Sequence, residues 1–247
     1  MNRLLLTFDD GPHTNTESVL DVLAKNPVQE GIKAIFFVQT RSAAGGGCRL
    51  GRVLLQREHA EGPVLGLHTG TTRGHVSHTS MSLPDLARSL QDGRADLRAI
   101  TNDEPWLVRP PYWWFNPATM AEYERQGLHM LLSDVKAYDG INWGLRVFAR
   151  WTFRFQLAVG HRRLARREIP SAGGVAPVII TFHDTNACTA GHLSEYLELL
   201  IIEAGRAGLS LDRKPYYDEA PEIVRAALLR AVHPLLVASP GRRQTVA

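Results

Sequence analysis

Short apolar runs that alternate with longer segments of helical periodicity are the feature that most constrains this chain. The apolar runs, each of strand length, cover residues 4–8, 34–38, 64–67, 106–108, 130–132 and 178–182. The helical segments cover residues 17–25, 83–100, 117–126 and 192–207. Ser82 is the predicted N-cap of the second helix. Parallel strands need a crossover connection, which a helix usually supplies. The alternation therefore predicts an α/β fold of βα units around a parallel sheet.

Composition and the amino terminus limit the organisation of the chain. With 44% hydrophobic and 21% charged residues, the chain has enough apolar side chains for a sizeable core, and we expect a single domain across residues 1–247. The first residues lead directly into an apolar run of strand length and do not resemble a signal peptide. No apolar run approaches the roughly 18 to 20 residues of a membrane-spanning helix. We therefore expect a cytoplasmic protein. The net charge of +3 is too small to indicate nucleic acid as a partner.

Residue types that carry catalytic chemistry follow the predicted strands. They are Asp9 and Asp10 after the first strand, His68 after the third, Arg109 after the fourth, Asp134 and Asp139 after the fifth, and His183 after the last. The carboxyl ends of parallel strands lie at one edge of a sheet, where the strand-to-helix loops converge. This recurrence predicts an active site at that edge.

Acidic and imidazole side chains at these positions indicate a metal site. Asp9 and Asp10 stand where the first strand breaks at a Gly-Pro turn, so their carboxylates can point to different sides and take different roles. His68, His75 and His78 fall within eleven residues. One carboxylate oxygen and two imidazole nitrogens commonly hold zinc or a related ion and leave positions open for water and substrate. An acidic turn alone could simply cap a helix, but the two features together favour a metal site.

Four segments resemble the motifs of the polysaccharide deacetylase family, also called the NodB homology domain or carbohydrate esterase family 4. They are residues 7–12 (TFDDGP), 66–69 (GLHT), 108–112 (VRPPY) and 179–184 (IITFHD). The first segment reproduces the family's first motif completely. The resemblance implies an α/β fold of a particular kind, a distorted (β/α) barrel of the NodB deacetylase type.

The resemblance also implies a reaction and a role for each matching residue. The reaction is metal-dependent removal of an N-acetyl or N-formyl group from a sugar or glycan. Asp9 is then the catalytic base, Arg109 orients it, and His183 is the catalytic acid. Asp10 and His68 are then ligands of a divalent metal, for which zinc is expected and cobalt, nickel or manganese are compatible. A small-amide or cyclic-amide hydrolase and a non-catalytic carbohydrate-binding protein are the alternatives.

The third metal ligand is where the chain departs from the family pattern. The family has its second histidine four residues after the first, but Thr72 stands four residues after His68, and threonine is a poor ligand. We infer an insertion of three residues, because counting back from Ser82 places His75 in the register of that second histidine. Two glycines lie between His68 and His75 and permit the turns that would fold the loop back. His78 is the alternative ligand if the downstream loop is shortened instead.

A group of polar and aromatic residues is expected to contact the substrate. They are Pro111, Tyr112, Trp113, Asp139 and Thr181. Trp113 begins a run of three aromatic residues and stands where the family usually has a small residue. Aromatic faces are suited to stacking on sugars. Thr181 stands where the family has a leucine that lines the acetyl pocket. A formyl group therefore stays an alternative to acetyl as the acyl group of the substrate. Either Asp134 or Asp139 could pair with Arg109 or with His183, and each could instead cap a helix.

A basic and aromatic insert near residues 143–168 calls for a separate interpretation. Seven arginines are interleaved there with Phe148, Trp151, Phe153 and Phe155, and no acidic residue occurs before Glu168. A helix of this kind can lie on an anionic membrane surface, which would suit a lipid-linked sugar substrate and a peripheral location at the inner membrane surface. Alternatively, it packs its aromatics on the barrel and solvates its arginines. A helical tail is expected near residues 220–247.

Overall fold

The computed structural model of this chain describes residues 1–139, 146–166 and 168–232. Its strands are β1 (Asn2–Asp9), β2 (Ile35–Gln39), β3 (Val64–Thr69), β4 (Leu107–Val108), β5 (His129–Met130), β6 (Val135–Lys136), β7 (Ala176–His183) and β8 (Leu211–Tyr216). They form a sheet in the order β5-β4-β3-β2-β1-β7-β6, and β8 pairs with the beginning of β1. Every strand pairing is parallel, which confirms the predicted α/β arrangement.

Helices connect these strands, as the alternating pattern predicts. The α-helices in the described residues are α1 (Thr14–Ala24), α2 (Arg49–Ala60), α3 (Leu83–Thr101), α4 (Pro117–Arg125), α5 (Arg146–Ala165), α6 (Ala187–Arg206) and α7 (Ala220–Arg230). Among them, none has the length and apolar character needed to cross a membrane. Ser82 caps α3 as predicted, since its side chain accepts a hydrogen bond from the backbone N–H of Asp85.

The observed elements overlap every predicted strand and helix, but three elements were not predicted. The helix α2 begins shortly after a glycine-rich segment at residues 43–47 and carries charged residues among its apolar ones. The strand β6 has only two residues, and β8 is mostly polar. Such strands are held by backbone pairing and lack the apolar run on which the prediction depended. The single domain remains a prediction, and residues 140–145, 167 and 233–247 of the expected insert and tail lie outside the described residues.

Two apolar clusters cover the two faces of the sheet. Because side chains alternate along a strand, Leu4, Leu6 and Phe8 of β1 point outward into the cluster formed with the surrounding helices. Leu5 points to the inner face, where it belongs to a cluster that includes Ile223 of α7. The helix α7 therefore closes part of the concave side of the sheet.

The contacts of Arg109 show that the sheet is strongly curled. Arg109 follows β4, which is three strands away from β1 in the sheet order. Three strand spacings amount to about 14 Å in a flat sheet. Nevertheless Nη1 of Arg109 lies 2.6 Å from the hydroxyl of Thr7 in β1 and 3.0 Å from that of Thr181 in β7. The sheet therefore curves around this side chain, as a distorted barrel requires.

Candidate active site

The end of β1 sends its two carboxylates in different directions. Asp9 is the last strand residue and pairs in register with His183 of β7, which places the proposed base beside the proposed acid. Asp10 has left the strand and adopts a φ of +76°, in the left-handed region that non-glycine residues rarely occupy. Such conformations concentrate at functional sites, where the surrounding structure holds them. Here the turn directs the Asp10 carboxylate toward two histidines.

Asp10, His68 and His75 form a cluster suited to a divalent metal. Oδ1 of Asp10 lies 3.1 Å from Nε2 of His68 and 3.2 Å from Nε2 of His75. One possible ligand atom from each of the three residues lies within 4.8 Å of the other two. Oδ1 of Asp10 and Nε2 of His68 are buried and have no aligned hydrogen-bond partner. Buried polar atoms normally have partners. Three unpaired or weakly paired donor atoms that converge on one point therefore fit a metal ion.

The orientation of His68 suits a ligand. Its Nδ1 lies 2.7 Å from the backbone carbonyl oxygen of Arg109. A carbonyl oxygen can only accept, so Nδ1 carries the proton and the neutral ring presents the lone pair of Nε2 to Asp10. Hydrogen bonds of this kind orient the histidine ligands of metals. Burial by itself would raise the pKa of Asp10, but the neighbouring His68, with His75 and His183, lowers it to about 2, which keeps the carboxylate ionised.

The loop between the two histidines folds back as its glycines predict, for two different reasons. Gly74 has a φ of +75°, where a side chain is strained. Gly70 lies against α3, and a Cβ there would approach the backbone oxygen of Ser89 to 2.1 Å. The folded loop brings the ring of His75 to 5.1 Å from that of His68, stacked between it and the ring of Tyr112. The structure thus brings together Asp10, His68 and His75, the predicted ligand set.

His78 lies apart from this cluster. It is fully buried, and its Nδ1 lies 2.7 Å from the hydroxyl of Tyr123 in α4. Burial and the nearby His68 lower the pKa of His78 to about 3, so its ring is neutral. The side chain is part of the packing behind the site rather than part of the cluster of Asp10, His68 and His75.

Arg109 holds Asp9 in a buried ion pair. Nη1 of Arg109 lies 2.8 Å from Oδ1 of Asp9, and both side chains are almost completely buried. The guanidinium is fixed on two further sides, because its Nε donates to the backbone carbonyl of Leu131 and its plane lies 4.2 Å from the centre of the Phe37 ring. Asp9 is thus held by a side chain that cannot easily move, as the sequence predicts.

Asp139 holds His183. Oδ1 of Asp139 lies 2.8 Å from Nδ1 of His183, and Oδ2 accepts a hydrogen bond from the backbone N–H of the same residue at 2.7 Å. Burial lowers the pKa of His183, but Asp139, with smaller contributions from Asp9 and Asp10, raises it to about 9. The imidazole is therefore held in its protonated form at neutral pH.

The sequence left open which of two acidic residues supports the site, and the structure distinguishes them. Asp134 accepts a hydrogen bond from the backbone N–H of Ile179 and forms ion pairs with Arg163 and Arg230. It therefore joins α5 and α7 to the sheet. Asp139 alone of the two contacts the candidate catalytic pair.

Thr181 lies beneath the catalytic groups rather than free at the surface of the site. Its hydroxyl is 2.8 Å from that of Thr7 and accepts a hydrogen bond from Arg109, and the residue is buried. A hydroxyl with two buried partners is not available to bind a substrate. Its expected contact with the acyl group stays a prediction, and any such contact would involve the rest of the side chain.

An aromatic wall borders the cluster of histidines. Pro111 is buried, whereas Tyr112 and Trp114 are 45% and 56% exposed. Tyr112 and Trp113 both have φ near +60°, so the backbone strain continues on this side of the site. The Trp113 ring meets the ring of His183 edge-on at 6.1 Å, and its expected contact with the substrate stays a prediction.

Three further residues support the site and were not predicted. Lys136 places its Nζ 4.2 Å from the centre of the Trp113 ring. Thr189 donates a hydrogen bond to Asp139, and Tyr123 pairs with His78. Lys136 lies in the segment that carries Asp134 and Asp139, which was a usable signal. Thr189 and Tyr123 lie in helices, where nothing in the sequence distinguishes them from other helical residues.

The comparison with protein families decides the assignment of the chain. The sequence model of the family described as polysaccharide deacetylase matches residues 2–131, more than half of the chain. The chain belongs to the polysaccharide deacetylase family. The matched region contains Asp9, Asp10, His68, His75 and Arg109, while His183 lies beyond it.

Individual relatives and solved structures agree with this assignment. A chitin deacetylase from Pestalotiopsis sp is 28% identical over 138 residues, which cover 56% of this chain and 43% of that protein. The chain thus spans less than half the length of this curated relative. The chitin deacetylase structure from the fungal pathogen Colletotrichum lindemuthianum is 21% identical with a TM-score of 0.63, covering 87% of this chain and 90% of that one. A family 4 acetyl xylan esterase from Clostridium thermocellum, in complex with a cobalt ion, is 23% identical with a TM-score of 0.57, covering 84% and 85%. These likenesses confirm the predicted barrel of the NodB deacetylase type.

Proposed function

We propose that this chain is a metal-dependent hydrolase that removes N-acetyl groups from the amino sugar units of a glycan. The observation that carries the proposal is the position of three convergent ligand groups, Asp10, His68 and His75, beside a buried carboxylate and a protonated imidazole at one edge of the sheet. Family membership and the deacetylase names of its relatives support the same reaction.

The metal would be held by Asp10, His68 and His75. The donor set of one carboxylate and two imidazoles is compatible with zinc, cobalt, nickel or manganese, and zinc is the ion we propose. The cobalt ion in the Clostridium thermocellum esterase supports a divalent ion in this fold. When bound, such an ion polarises the amide carbonyl and lowers the pKa of water.

Asp9 acts as the general base. Its carboxylate accepts the proton of the attacking water, and the ion pair with Arg109 keeps that carboxylate in place through the reaction. Oδ1 of Asp9 accepts a hydrogen bond from Arg109, so we assign proton transfer to Oδ2 of Asp9.

His183 acts as the general acid. Cleavage of the amide requires a proton on the departing amine nitrogen, and a protonated imidazole at neutral pH can deliver it. Asp139 accepts a hydrogen bond from Nδ1 of His183, so Nε2 of His183 is the atom that donates a proton to the amine. Asp9 and His183 are register partners on the adjacent strands β1 and β7. Both groups can therefore exchange protons with the same bound amide.

The aromatic wall supports a glycan rather than a small closed-pocket amide. Tyr112 and Trp114 expose large parts of their rings, and their ring centres are 5.3 Å apart. Sugars stack on exposed aromatic faces, whereas a small amide requires an enclosed pocket. The hydroxyl of Thr181 is engaged by Thr7 and Arg109 and so does not present a free polar group to the acyl group, and acetyl is the acyl group we propose. The cytoplasmic location and the lipid linkage of the substrate remain predictions.

The test is release of acetate from oligomers of N-acetylglucosamine by the metal-stripped protein before and after addition of zinc. We expect no release from the stripped protein and restored release with zinc, cobalt, nickel or manganese. N-formylated oligomers run in parallel identify the preferred acyl group. Failure to bind any divalent ion at neutral pH would sink the proposal, and binding of the oligomers without acetate release would instead identify a non-catalytic carbohydrate-binding protein.

A further inference from the structure

Among the residues that the structure describes, none covers one apolar face of the helix α5. Phe153 packs against Phe182 and Tyr196 in the interior. Phe148, Trp151 and Phe155, in contrast, are 57%, 71% and 60% exposed. Their spacing of three and four residues places them on one stripe of the helix, and the rings of Trp151 and Phe155 stack at 6.3 Å. Packing against the barrel therefore accounts for one aromatic residue of this helix and leaves three in contact with solvent.

The same stripe continues into positive charge. Arg162 and Arg166 are exposed and lie seven and eleven residues after Phe155. Arg166 follows the last residue of α5, but its backbone N–H still donates to the carbonyl of Arg162, so helical spacing returns both arginines to the face of the aromatic residues. Arg154 is exposed beside them. These three arginines form no ion pair with any residue in the part of the chain that the structure describes. The helix contains no acidic residue at all. We call the face formed by Phe148, Trp151, Phe155, Arg162 and Arg166 the α5 stripe.

Two contacts fix the direction of α5 relative to the active site. The side chain of Gln156 forms hydrogen bonds with the backbone N–H and carbonyl of Lys136, and Arg163 pairs with Asp134. Later helix residues thus lie beside earlier strand residues, so α5 runs antiparallel to β6. Its first turns extend beyond Lys136 toward the catalytic edge of the sheet. The aromatic half of the α5 stripe is therefore the half closer to His183.

We propose that the α5 stripe docks the protein on an anionic lipid surface. Exposed tryptophan and phenylalanine side chains partition into the interface between headgroups and acyl chains, and arginines without ion-pair partners attract anionic headgroups. A protein partner would also cover an apolar face, but the uniform positive charge next to the aromatic residues is complementary to a surface of dense negative charge. Docking in this way holds the catalytic edge near the bilayer. It does not depend on the deacetylase reaction.

The experiment is cosedimentation of the full chain with vesicles. We expect binding to vesicles of phosphatidylcholine mixed with phosphatidylglycerol, and weak or no binding to vesicles of phosphatidylcholine alone. Binding should fall in about 1 M salt, where the screening length is roughly 3 Å. The triple variant F148S/W151S/F155S should lose binding. The double variant R162Q/R166Q should bind about fivefold more weakly for each arginine removed.

A matched control replaces exposed apolar residues on another helix. Leu50 and Val53 on α2 are 48% and 53% exposed, and the variant L50S/V53S should sediment with the mixed vesicles as the unchanged protein does. Circular dichroism checks that each variant is folded. The proposal is overturned if the unchanged protein does not sediment with mixed vesicles at low salt. It is also overturned if the triple variant and the control bind equally. Because sedimentation does not require turnover, these results are independent of the proposed enzyme activity.

Discussion

The candidate active site consists of two parts that are prepared in different ways. The ligand part is Asp10, His68 and His75, and the proton-transfer part is Asp9, Arg109, His183 and Asp139. In the proton-transfer part each charged group has an opposite charge within 2.8 Å. In the ligand part, buried atoms of Asp10 and His68 face each other without aligned hydrogen bonds.

This difference shows which part the protein completes by itself. Buried charges are stable only when they are paired, and the proton-transfer part meets that condition through the ion pairs of Asp9 with Arg109 and of Asp139 with His183, although Nη2 of Arg109 has no hydrogen-bond partner among the described residues. In the ligand part, Oδ1 of Asp10 and Nε2 of His68 lack such partners in the part of the chain that the structure describes, and the proposed cation would pair with both. Substitutions in the two parts should therefore have separable effects, one on metal content and one on turnover.

The largest effect is expected from the ligand part. His68→Ala removes a proposed ligand that Arg109 already orients, and Asp10→Ala removes the carboxylate. Loss of a group that only orients a ligand typically costs 10- to 100-fold in metal affinity, so loss of a ligand should cost more than about 100-fold. Activity should disappear with the metal, measured as metal content after dialysis and as acetate release. A variant that loses activity but keeps full metal content would remove these residues from the ligand part.

Asp9→Asn tests the proton-transfer part. The amide keeps the shape of the side chain but cannot accept the proton, so turnover should fall by roughly a hundredfold to ten-thousandfold. Metal content should remain that of the unchanged protein, since Asp9 is not among the convergent ligands. Turnover close to normal in Asp9→Asn would contradict its role as base. Thermal unfolding is the control, because the change leaves the buried Arg109 with a weaker partner.

Substitution of His75 and of His78 tests which of the two histidines belongs to the ligand part. His75→Ala should lower metal affinity by more than about 100-fold, as for the other proposed ligands, because His75 contacts Asp10. His78→Ala should change affinity by less than that and retain measurable activity, because His78 contacts Tyr123 instead. Metal titration of both variants gives the ranking. The reverse ranking would transfer the third ligand to His78.

The smallest effect is expected from Asp139→Asn, and it appears in the pH dependence. Asp139 raises the pKa of His183 to about 9, and the acid must be protonated to donate. Removing the negative charge lowers that pKa, so the alkaline limb of kcat/KM should move to lower pH. Activity in mildly acidic solution should be affected least, since His183 stays protonated there. An unchanged alkaline limb would show that another group provides it.

Some of this could be predicted from the sequence because it depends on local order. The alternation of apolar runs and helical segments predicts parallel βα units, and those units place Asp9, Asp10, His68, Arg109 and His183 at one sheet edge whatever the details of packing. The short or polar strands β6 and β8 escaped prediction, since their stability comes from neighbouring strands rather than from their own apolar side chains.

The sequence by itself determined the family and which reactive residue follows each strand. It also determined the residue types available for metal binding and proton transfer. Only the tertiary structure placed His75 rather than His78 beside Asp10, placed Asp139 rather than Asp134 beside His183, and separated packed from exposed aromatic residues in α5. Each of these choices is made between residues of the same type a few positions apart. Side chains of equal chemistry are distinguished by which atoms surround them, and those atoms belong to strands and helices distant in the chain.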